Sequence, residues 1–537
     1  MYIKRIKIEG FKTFRKFELD LNKDMNIIVG DNETGKTTLL EAINLVLSCH
    51  LDGRSIQYET LNPYIFNSDM VKSHFDGLRN GTHTAPPHIL IEAYLDDDQS
   101  GELARLKGTN NSVGEDCPGV YLSITLNDDF ADEFREYTSS PGNPSIVPTE
   151  YYTVAWRSFA NNSVGTKNLP FCATMIDTSL VRSHFGPNKY LARIISDILE
   201  EKQRHLLSMA YRNLKHAFMR EPGISEINKY LASKKGQVTH KDLTVSMDMS
   251  TRSTWDTSIT AHLDDVPFDS IGKGEQCCVQ MKLAIEGAGD SHVLLIEEPE
   301  NHLSHSNMCR LIEEIGQRGA QRQIIVATHS SFVLNKLGVD NVKLLSRSGK
   351  TMTLDNLLPD TKDYFMKLPG YNTLRLILSP KAILVEGPSD ELIVQKAYKA
   401  KYKKLPLENG VDVISIGSLA FKRFLEIGRL LNLDIRVVTD NDGDVTALKE
   451  KYKDYLDGKV KNIKIYYDVD ENCKTLEAQL LKANSLAAMN RVLGRDFRNE
   501  TDLLKYMAEN KTDCALQVFN STQSINYPGY ISDAINW

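Results

Sequence analysis

The sequence predicts an α/β protein in two successive parts, the first built around a phosphate-binding loop. Three observations carry this expectation. Apolar runs of strand length, from Met25 to Val29, Val293 to Ile296 and Ile324 to Ala327, each end abruptly in a polar loop. The first run leads into Gly30-Asp31-Asn32-Glu33-Thr34-Gly35-Lys36-Thr37 and then into a helical pattern that lasts to Leu47. A fresh series of the same kind starts with the run from Ala382 to Val385 and continues near 411–416 and 435–439.

The flanking elements follow from periodicity. Ile6 and Ile8 alternate with Lys7 and Glu9, and Phe17, Leu19 and Leu21 alternate with Lys16, Glu18 and Asp20, the pattern of a β-hairpin. Residues 50–180 are mixed and turn-rich. From 188 to 232 apolar residues recur at helical spacing, first Leu191, Ile194, Ile195 and Ile198, then Leu206, Met209, Ala210, Leu214 and Ala217. This stretch reads either as an arm or dimerisation helix pair or as ordinary packed helices. Strand-like alternation returns near 243–268.

Composition excludes several classes. Apolar residues make up 41% and charged residues 25% of the 537, which rules out wholesale disorder and fibrous repeats. No apolar run reaches the roughly 18 residues of a membrane-spanning helix. The opening MYIKRIKIEGF alternates apolar and charged residues, so a cytoplasmic rather than a secreted protein is expected. The eight cysteines include no C-x-x-C pair, which fits free thiols better than a zinc site. The net charge of -7 arises in the first 370 residues, whose 40 Lys+Arg against 48 Asp+Glu give -8. From Tyr371 onward the balance is 24 against 23 although an acidic cluster lies there, so the remaining surface is mildly basic.

The residue types from Gly30 to Thr37 each have a chemical reason. Glycines at 30 and 35 let backbone amides wrap phosphates, Lys36 brings positive charge to the β- and γ-phosphates, and the Thr37 hydroxyl can ligate Mg²⁺. Asn32 and Thr38 complete the expected nucleotide-binding set. The run from Val293 to Ile296 ends in Glu297 and Glu298; an acid at the first position can hold Mg²⁺ through water, and one at the second can polarise an attacking water. His329 follows a further core strand, where it could sense a γ-phosphate. Gly272 and Gly274, in Ile271-Gly272-Lys273-Gly274-Glu275-Gln276, open a helix and suit an anion, or form a plain loop.

The second part carries carboxylates at strand ends. Glu386 follows the run from Ala382 to Val385, and Asp390 comes four residues later, after a glycine turn. Asp440, Asp442 and Asp444 follow the run from Ile435 to Thr439. Oxygen ligands gathered at strand ends of an α/β fold suit Mg²⁺ or Mn²⁺, whereas the aspartate loop alone also reads as a solvated turn or a Ca²⁺ loop. Lys396, Lys399, Lys401, Lys403 and Lys404 read as a solvated helix face or as a surface for a phosphate backbone.

The order of the motifs in the first part resembles the ATPase heads of the ABC, SMC and RecF group, with two departures: IGKGEQ stands at the signature loop and Glu297 where an Asp is usual. The second part resembles the Toprim domain of topoisomerases, primases and some nucleases. Their fusion resembles the OLD (overcoming lysogenisation defect) nuclease family, which includes the nuclease subunit of the Gabija anti-phage system. The resemblance is densest at GDNETGKTT, LLIEEPENHLS, IIVATHSS, LILSPKAILVEGPSDE, VVTDNDGD and KTLE. It implies an ABC-type P-loop ATPase head with a helical dimerisation insertion, followed by a Toprim α/β domain. The expected boundaries are 1–185 and 241–345 for the ATPase, 186–240 for the insertion, 346–378 for a linker and 379–537 for Toprim.

The resemblance further implies an ATP-regulated, Mg²⁺- or Mn²⁺-dependent DNA endonuclease, with ATP held between heads of a homodimer or larger homo-oligomer. Glu386, Asp390, Asp440, Asp442, Asp444 and Glu477 would hold two metals, Lys511 would face the scissile phosphate, and a UvrD-like helicase would be a partner. The alternative from another class is a non-catalytic, RecF-like ATP-dependent DNA clamp or repair mediator with a vestigial Toprim fold.

Overall fold

The structure, a computed structural model, describes residues 1–51, 54–56, 61–82, 84–96, 101–138, 145–165, 169–177, 199–235, 240–248, 255, 261–287, 291–301, 303–318, 322–346, 351–354, 356–367, 371–379, 381–417, 420–456 and 458–537. The chain divides into two compact units, Met1–Lys12 with Thr37–Ala327, and Thr13–Lys36 with Thr328–Trp537. The phosphate-binding loop from Gly30 to Lys36 therefore falls in the unit that also contains the C-terminal part.

In the first unit the strand Tyr2–Phe11 pairs antiparallel with Ile89–Asp96, which pairs in turn with Cys117–Leu126 and that with Tyr152–Ser158. Ile3, Ile6 and Ile8 are buried, as a half-buried strand requires. A second set is parallel: Ala173–Asp177, Val293–Glu297 and Gln323–Ala327. Val293–Glu297 and Gln323–Ala327 are buried along their whole length, which explains why they read as continuous apolar runs rather than alternating ones. The helix Lys36–Ser48 buries Leu39, Leu40, Ala42, Ile43, Leu45 and Val46.

The helical stretch forms Glu201–Met219 and Pro222–Ser233; the expected helix around Leu191 to Ile198 lies outside the described residues. Leu206, Met209 and Leu214 are 64%, 54% and 62% exposed, so the apolar stripe is not covered by the described residues of the chain itself. Near 243–268 the described strands shrink to His262–Leu263 paired with Val266–Pro267, because Asp264 and Asp265 both turn at positive φ.

In the second unit Met25–Gly30 pairs in parallel with Val342–Leu345, which pairs antiparallel with Thr351–Thr353. The C-terminal sheet is fully parallel, in the order Val411–Ser415, Lys381–Val385, Asp434–Val438, Ile463–Tyr466. Chain order reverses direction between Lys381–Val385 and Asp434–Val438, so a crevice opens beyond the carboxyl ends of these two strands, the general ligand position of doubly wound sheets. Helices Pro388–Tyr402, Leu476–Ala483, Lys511–Asn520 and Gly529–Ala534 close the core around Ile383, Val385, Ile393, Leu480, Val518 and Ile531.

The stretch expected to link the two parts, 346–378, carries helices Pro359–Lys367 and Tyr371–Leu378. Arg375 makes a two-pronged contact with Asp412, at 3.0 and 2.5 Å. Glu426, from helix Phe421–Leu430, accepts from the Leu358 amide at 2.6 Å and the Thr361 hydroxyl at 2.5 Å, capping Pro359–Lys367 from outside. Glu426→Ala would leave the buried Thr361 hydroxyl and the Leu358 amide without their acceptor. Its expected cost is about 1–3 kcal/mol, read as a lower urea midpoint at unchanged slope; an unchanged midpoint would refute the capping role.

Candidate functional site

The C-terminal crevice gathers carboxylates from four elements. Glu386 follows strand Lys381–Val385 directly; its Oε1 accepts from the Thr439 hydroxyl and from the Asp440 amide at 3.2 Å. Asp390 lies in the first turn of Pro388–Tyr402, where its Oδ2 accepts from the Gly387 amide at 3.0 Å. Asp440 follows strand Asp434–Val438. Glu477 lies in the first turn of Leu476–Ala483 and is 4% exposed.

These groups act on one another. Burial first, then the charges of Asp390, Glu386 and Glu477, push the Asp440 carboxyl up to about 8. Burial, with the charge of Glu386 next, pushes Asp390 up to about 6. Asp440 Oδ1 and Glu477 Oε2 are buried and accept no hydrogen bond. Lys511, the first residue of Lys511–Asn520, brings its ammonium to 3.5 Å from Glu477 Oε2 while remaining half exposed. Among the described residues no three Asp, Glu, His or Cys side chains stand close enough together to hold a metal ion as they are placed. The donor chemistry nevertheless suits a hard divalent cation: all oxygen, mutually repelling, with Asp440 Oδ1 buried without a hydrogen-bond donor and Glu477 Oε2 met only by the half-exposed Lys511 ammonium at 3.5 Å.

Asp442 and Asp444 are more exposed than Asp440. Asp442 is exposed and has φ 52°. Asp444 caps Val445–Lys451, its Oδ1 accepting from the Ala447 amide at 2.8 Å. The lysine group is also displaced from the crevice. Lys396 donates to the Phe519 and Ser521 carbonyls at 2.8 and 2.7 Å, a structural tie. Lys399 and Lys401 lie in the last turn of the 15-residue helix that carries Asp390 in its first turn, about 14–17 Å away along its axis.

The phosphate-binding loop is tightly built. Lys36, buried, donates from Nζ to the Gly30 and Asp31 carbonyls at 2.9 and 2.8 Å. Gly35 has φ 97°, and a Cβ there would meet the Phe14 ring at 2.6 Å, so no other residue fits. Asn32 is exposed and Thr38 buried. In the first unit the Thr37 hydroxyl donates to Glu297 Oε1, the pairing an Mg²⁺-binding Thr and acid require. Glu298 has φ 45°; its amide donates to the Ala327 carbonyl at 2.8 Å, and its Oε2 accepts from Asn301 at 2.6 Å. His329 follows Gln323–Ala327 just before Ser330, which caps Ser331–Leu337. Gly272 is exposed and Gly274 sits in the first turn of Lys273–Gly287, with the Glu275 and Gln276 amides donating to the Gly272 carbonyl. No helix among the described residues is long and apolar enough to cross a membrane, and all eight cysteines carry free thiols.

Residues 377–442 match the family model for the Toprim domain of overcoming lysogenization defect protein-like proteins. Residues 1–85 match an AAA ATPase domain, and 256–335 an AAA domain described as putative AbiEii toxin, type IV TA system. The matched stretches are thus similar to AAA-type ATPase domains in the first part of the chain and to an OLD-like Toprim domain in the second. It is 22% identical over 476 residues to an OLD nuclease of Thermus scotoductus, covering 84% of this chain and 83% of that one. An ATP/GTP phosphatase of Helicobacter pylori is 22% identical over 350 residues, with 61% and 85% covered. Among solved structures, the SMC head domain from Thermotoga maritima superposes with a TM-score of 0.29 at 14% identity, over 64% of this chain and 94% of that one.

The Toprim crevice also uses residues that carried no sequence signal. Thr439 and the Asp440 amide orient Glu386. Asn441, 1% exposed, donates to the Asp468 and Asp470 carbonyls, both at 2.9 Å, and accepts from the Gly443 amide, tying the loops after two neighbouring strands together. An uncharged residue between two aspartates gives no hint of this in sequence; only the pairing of Asp434–Val438 with Ile463–Tyr466 brings those carbonyls to it.

Proposed function

We propose that this protein is an ATP-regulated, divalent-metal-dependent DNA endonuclease. The carrying observation is the group of carboxylates Glu386, Asp390, Asp440 and Glu477 at the switch point of the C-terminal sheet, with Asp440 pushed up to about 8 and its Oδ1 buried without a hydrogen-bond donor. These four would hold the metal, with Mg²⁺ or Mn²⁺ the cations that suit an all-oxygen donor set. Asp442 and Asp444 lie close in sequence and would join only through a shift of the loop. Such ions supply water activation and charge neutralisation at a scissile phosphate. Lys511 is the chain's own cation beside the crevice, and would face that phosphate and offset charge as it develops.

ATP would bind through Gly30, Asn32, Gly35, Lys36, Thr37 and Thr38, with Glu297 on the Mg²⁺ side, Glu298 polarising water, and His329, Gly272 and Gly274 nearest the γ-phosphate. The exposed Leu206, Met209 and Leu214 support a homodimer that covers this stripe. A role in defence against phage, and a UvrD-like helicase partner, are proposed from the OLD resemblance.

The test is cleavage of supercoiled and linear DNA with Mg²⁺ or Mn²⁺, with and without ATP, beside Asp440→Ala. Scission that depends on metal and disappears in the variant is the expected result, and the form of the product distinguishes nicking from double-strand cleavage. Equal scission by the variant would overturn the assignment.

A further inference from the structure

Glu477 reaches the crevice from a helix remote in sequence from the other carboxylates, so something must set the rotation of that helix. Two residues along an α-helix differ by about 200° about its axis. Glu477 and Gln479 therefore face nearly opposite ways, and fixing one fixes the other. Gln479 is 1% exposed and both ends of its amide are engaged: Nε2 donates to the Cys473 carbonyl at 3.0 Å, and Oε1 accepts from the Tyr530 hydroxyl at 2.5 Å. Tyr530 is itself buried, on helix Gly529–Ala534, which lies against the strands Asp434–Val438 and Ile463–Tyr466. Burial, and then the carboxylates of Asp440, Asp390, Asp468 and Glu386, hold its phenol in the protonated, donating form.

We propose that Tyr530 is a positioning residue of the metal centre, acting through Gln479 to fix the first turn of Leu476–Ala483 and hence the Glu477 carboxylate. The inference rests on the reading of the crevice as a metal site. Hydrogen bonds behind metal ligands typically govern 10–100-fold in affinity.

Tyr530→Phe keeps the ring and removes only the donor. Mn²⁺ binding, followed by electron paramagnetic resonance of the free ion without DNA or ATP, is expected to weaken by about 10-fold. Cleavage should return at saturating Mn²⁺, because the chemistry is intact once the ion is held. Gln479→Met should weaken binding similarly, and the double variant no further than either single one, since both remove the same link. Wild-type Mn²⁺ affinity in Tyr530→Phe, or additive losses in the double variant, would overturn the proposal. A lower melting point in chelator with unchanged Mn²⁺ affinity would do the same, because that is the signature of packing alone. Asp440→Asn separates the two levels: if it binds Mn²⁺ as the wild type does, the metal reading itself fails and takes the proposal with it.

Discussion

In chelator at about pH 9, Asp440→Asn is expected to melt a few degrees above the wild type, while losing metal-dependent DNA cleavage by about 100-fold or more. The two effects have one cause. Asp440 is pushed up to about 8 in the folded protein by burial and by Asp390, Glu386 and Glu477, against roughly 4 for an unfolded aspartate. Between these values the folded state binds more protons than the unfolded state, so stability falls as pH rises from about 4 to about 8 and is flat above. Asp390, at about 6, adds to the slope in the lower half of that window.

Replacing Asp440 by Asn removes its share of the penalty. The gain in melting temperature should therefore be largest above about pH 8 and vanish below about pH 4. Added Mg²⁺ should reverse the ranking, since a divalent ion bound only by the folded wild type stabilises it by mass action. Differential scanning fluorimetry across pH, with chelator and with Mg²⁺, measures both arms. A variant less stable than wild type at high pH in chelator would show that Asp440 is held by a compensating partner rather than strained by its neighbours. The site would then be a structural charge network, and the nuclease reading would lose its main support.

Glu386 and Asp440 were legible because each follows a strand whose last residues are apolar, and a buried parallel strand leaves the next polar residues at the carboxyl end of the sheet, where ligands bind. Asp390 was legible because one helical turn returns it to the same end. From residue types and spacing alone, Asp440, Asp442 and Asp444 looked equivalent, and the structure separates them by burial and backbone: Asp442 is exposed in a left-handed turn, and Asp444 caps a helix. Glu477 and Lys511 carried no local signal, since the place of Glu477 near Asp440, and of Lys511 against Glu477, depends on packing of helices far along the chain; only the family resemblance named them. Thr439, Gln479 and Tyr530 escaped notice because uncharged residues acquire meaning only through tertiary hydrogen bonds. In the N-terminal part, Gly30 to Thr37 was readable because the turn demands glycine at fixed places, as the Phe14 ring against Gly35 demonstrates.

Lys36→Ala is expected to weaken ATP binding by about 100-fold, the loss of a charge-assisted phosphate contact of roughly 2–3 kcal/mol. Lys36 Nζ rests on the Gly30 and Asp31 carbonyls, so the ammonium is already aimed into the loop that amides from Gly30 onward surround. Lys36 serves the nucleotide loop, whereas the proposed metal site is built by Glu386, Asp390, Asp440 and Glu477 from other elements, so cleavage without ATP at saturating metal should stay at the wild-type level. What should disappear is the response to ATP, whether ATP raises or lowers cleavage in the wild type. Thr37→Ala, which deletes the hydroxyl that donates to Glu297, should give the same loss of response with a smaller loss of nucleotide binding, since it removes the Mg²⁺ arm and leaves the phosphate cation. Nucleotide binding by calorimetry and cleavage with and without ATP, measured on both variants, decide the matter. If cleavage by Lys36→Ala still follows ATP as in the wild type, the nucleotide acts at some place other than this loop. If the variant loses cleavage even without ATP at saturating metal, the loop supports the nuclease site structurally rather than through nucleotide. Because the strand Met25–Gly30 pairs with Val342–Leu345 inside the same compact unit as the Toprim sheet, a change in loop order on nucleotide binding has a continuous packed route toward the crevice. Regulation without loss of basal chemistry is therefore the outcome that this arrangement predicts.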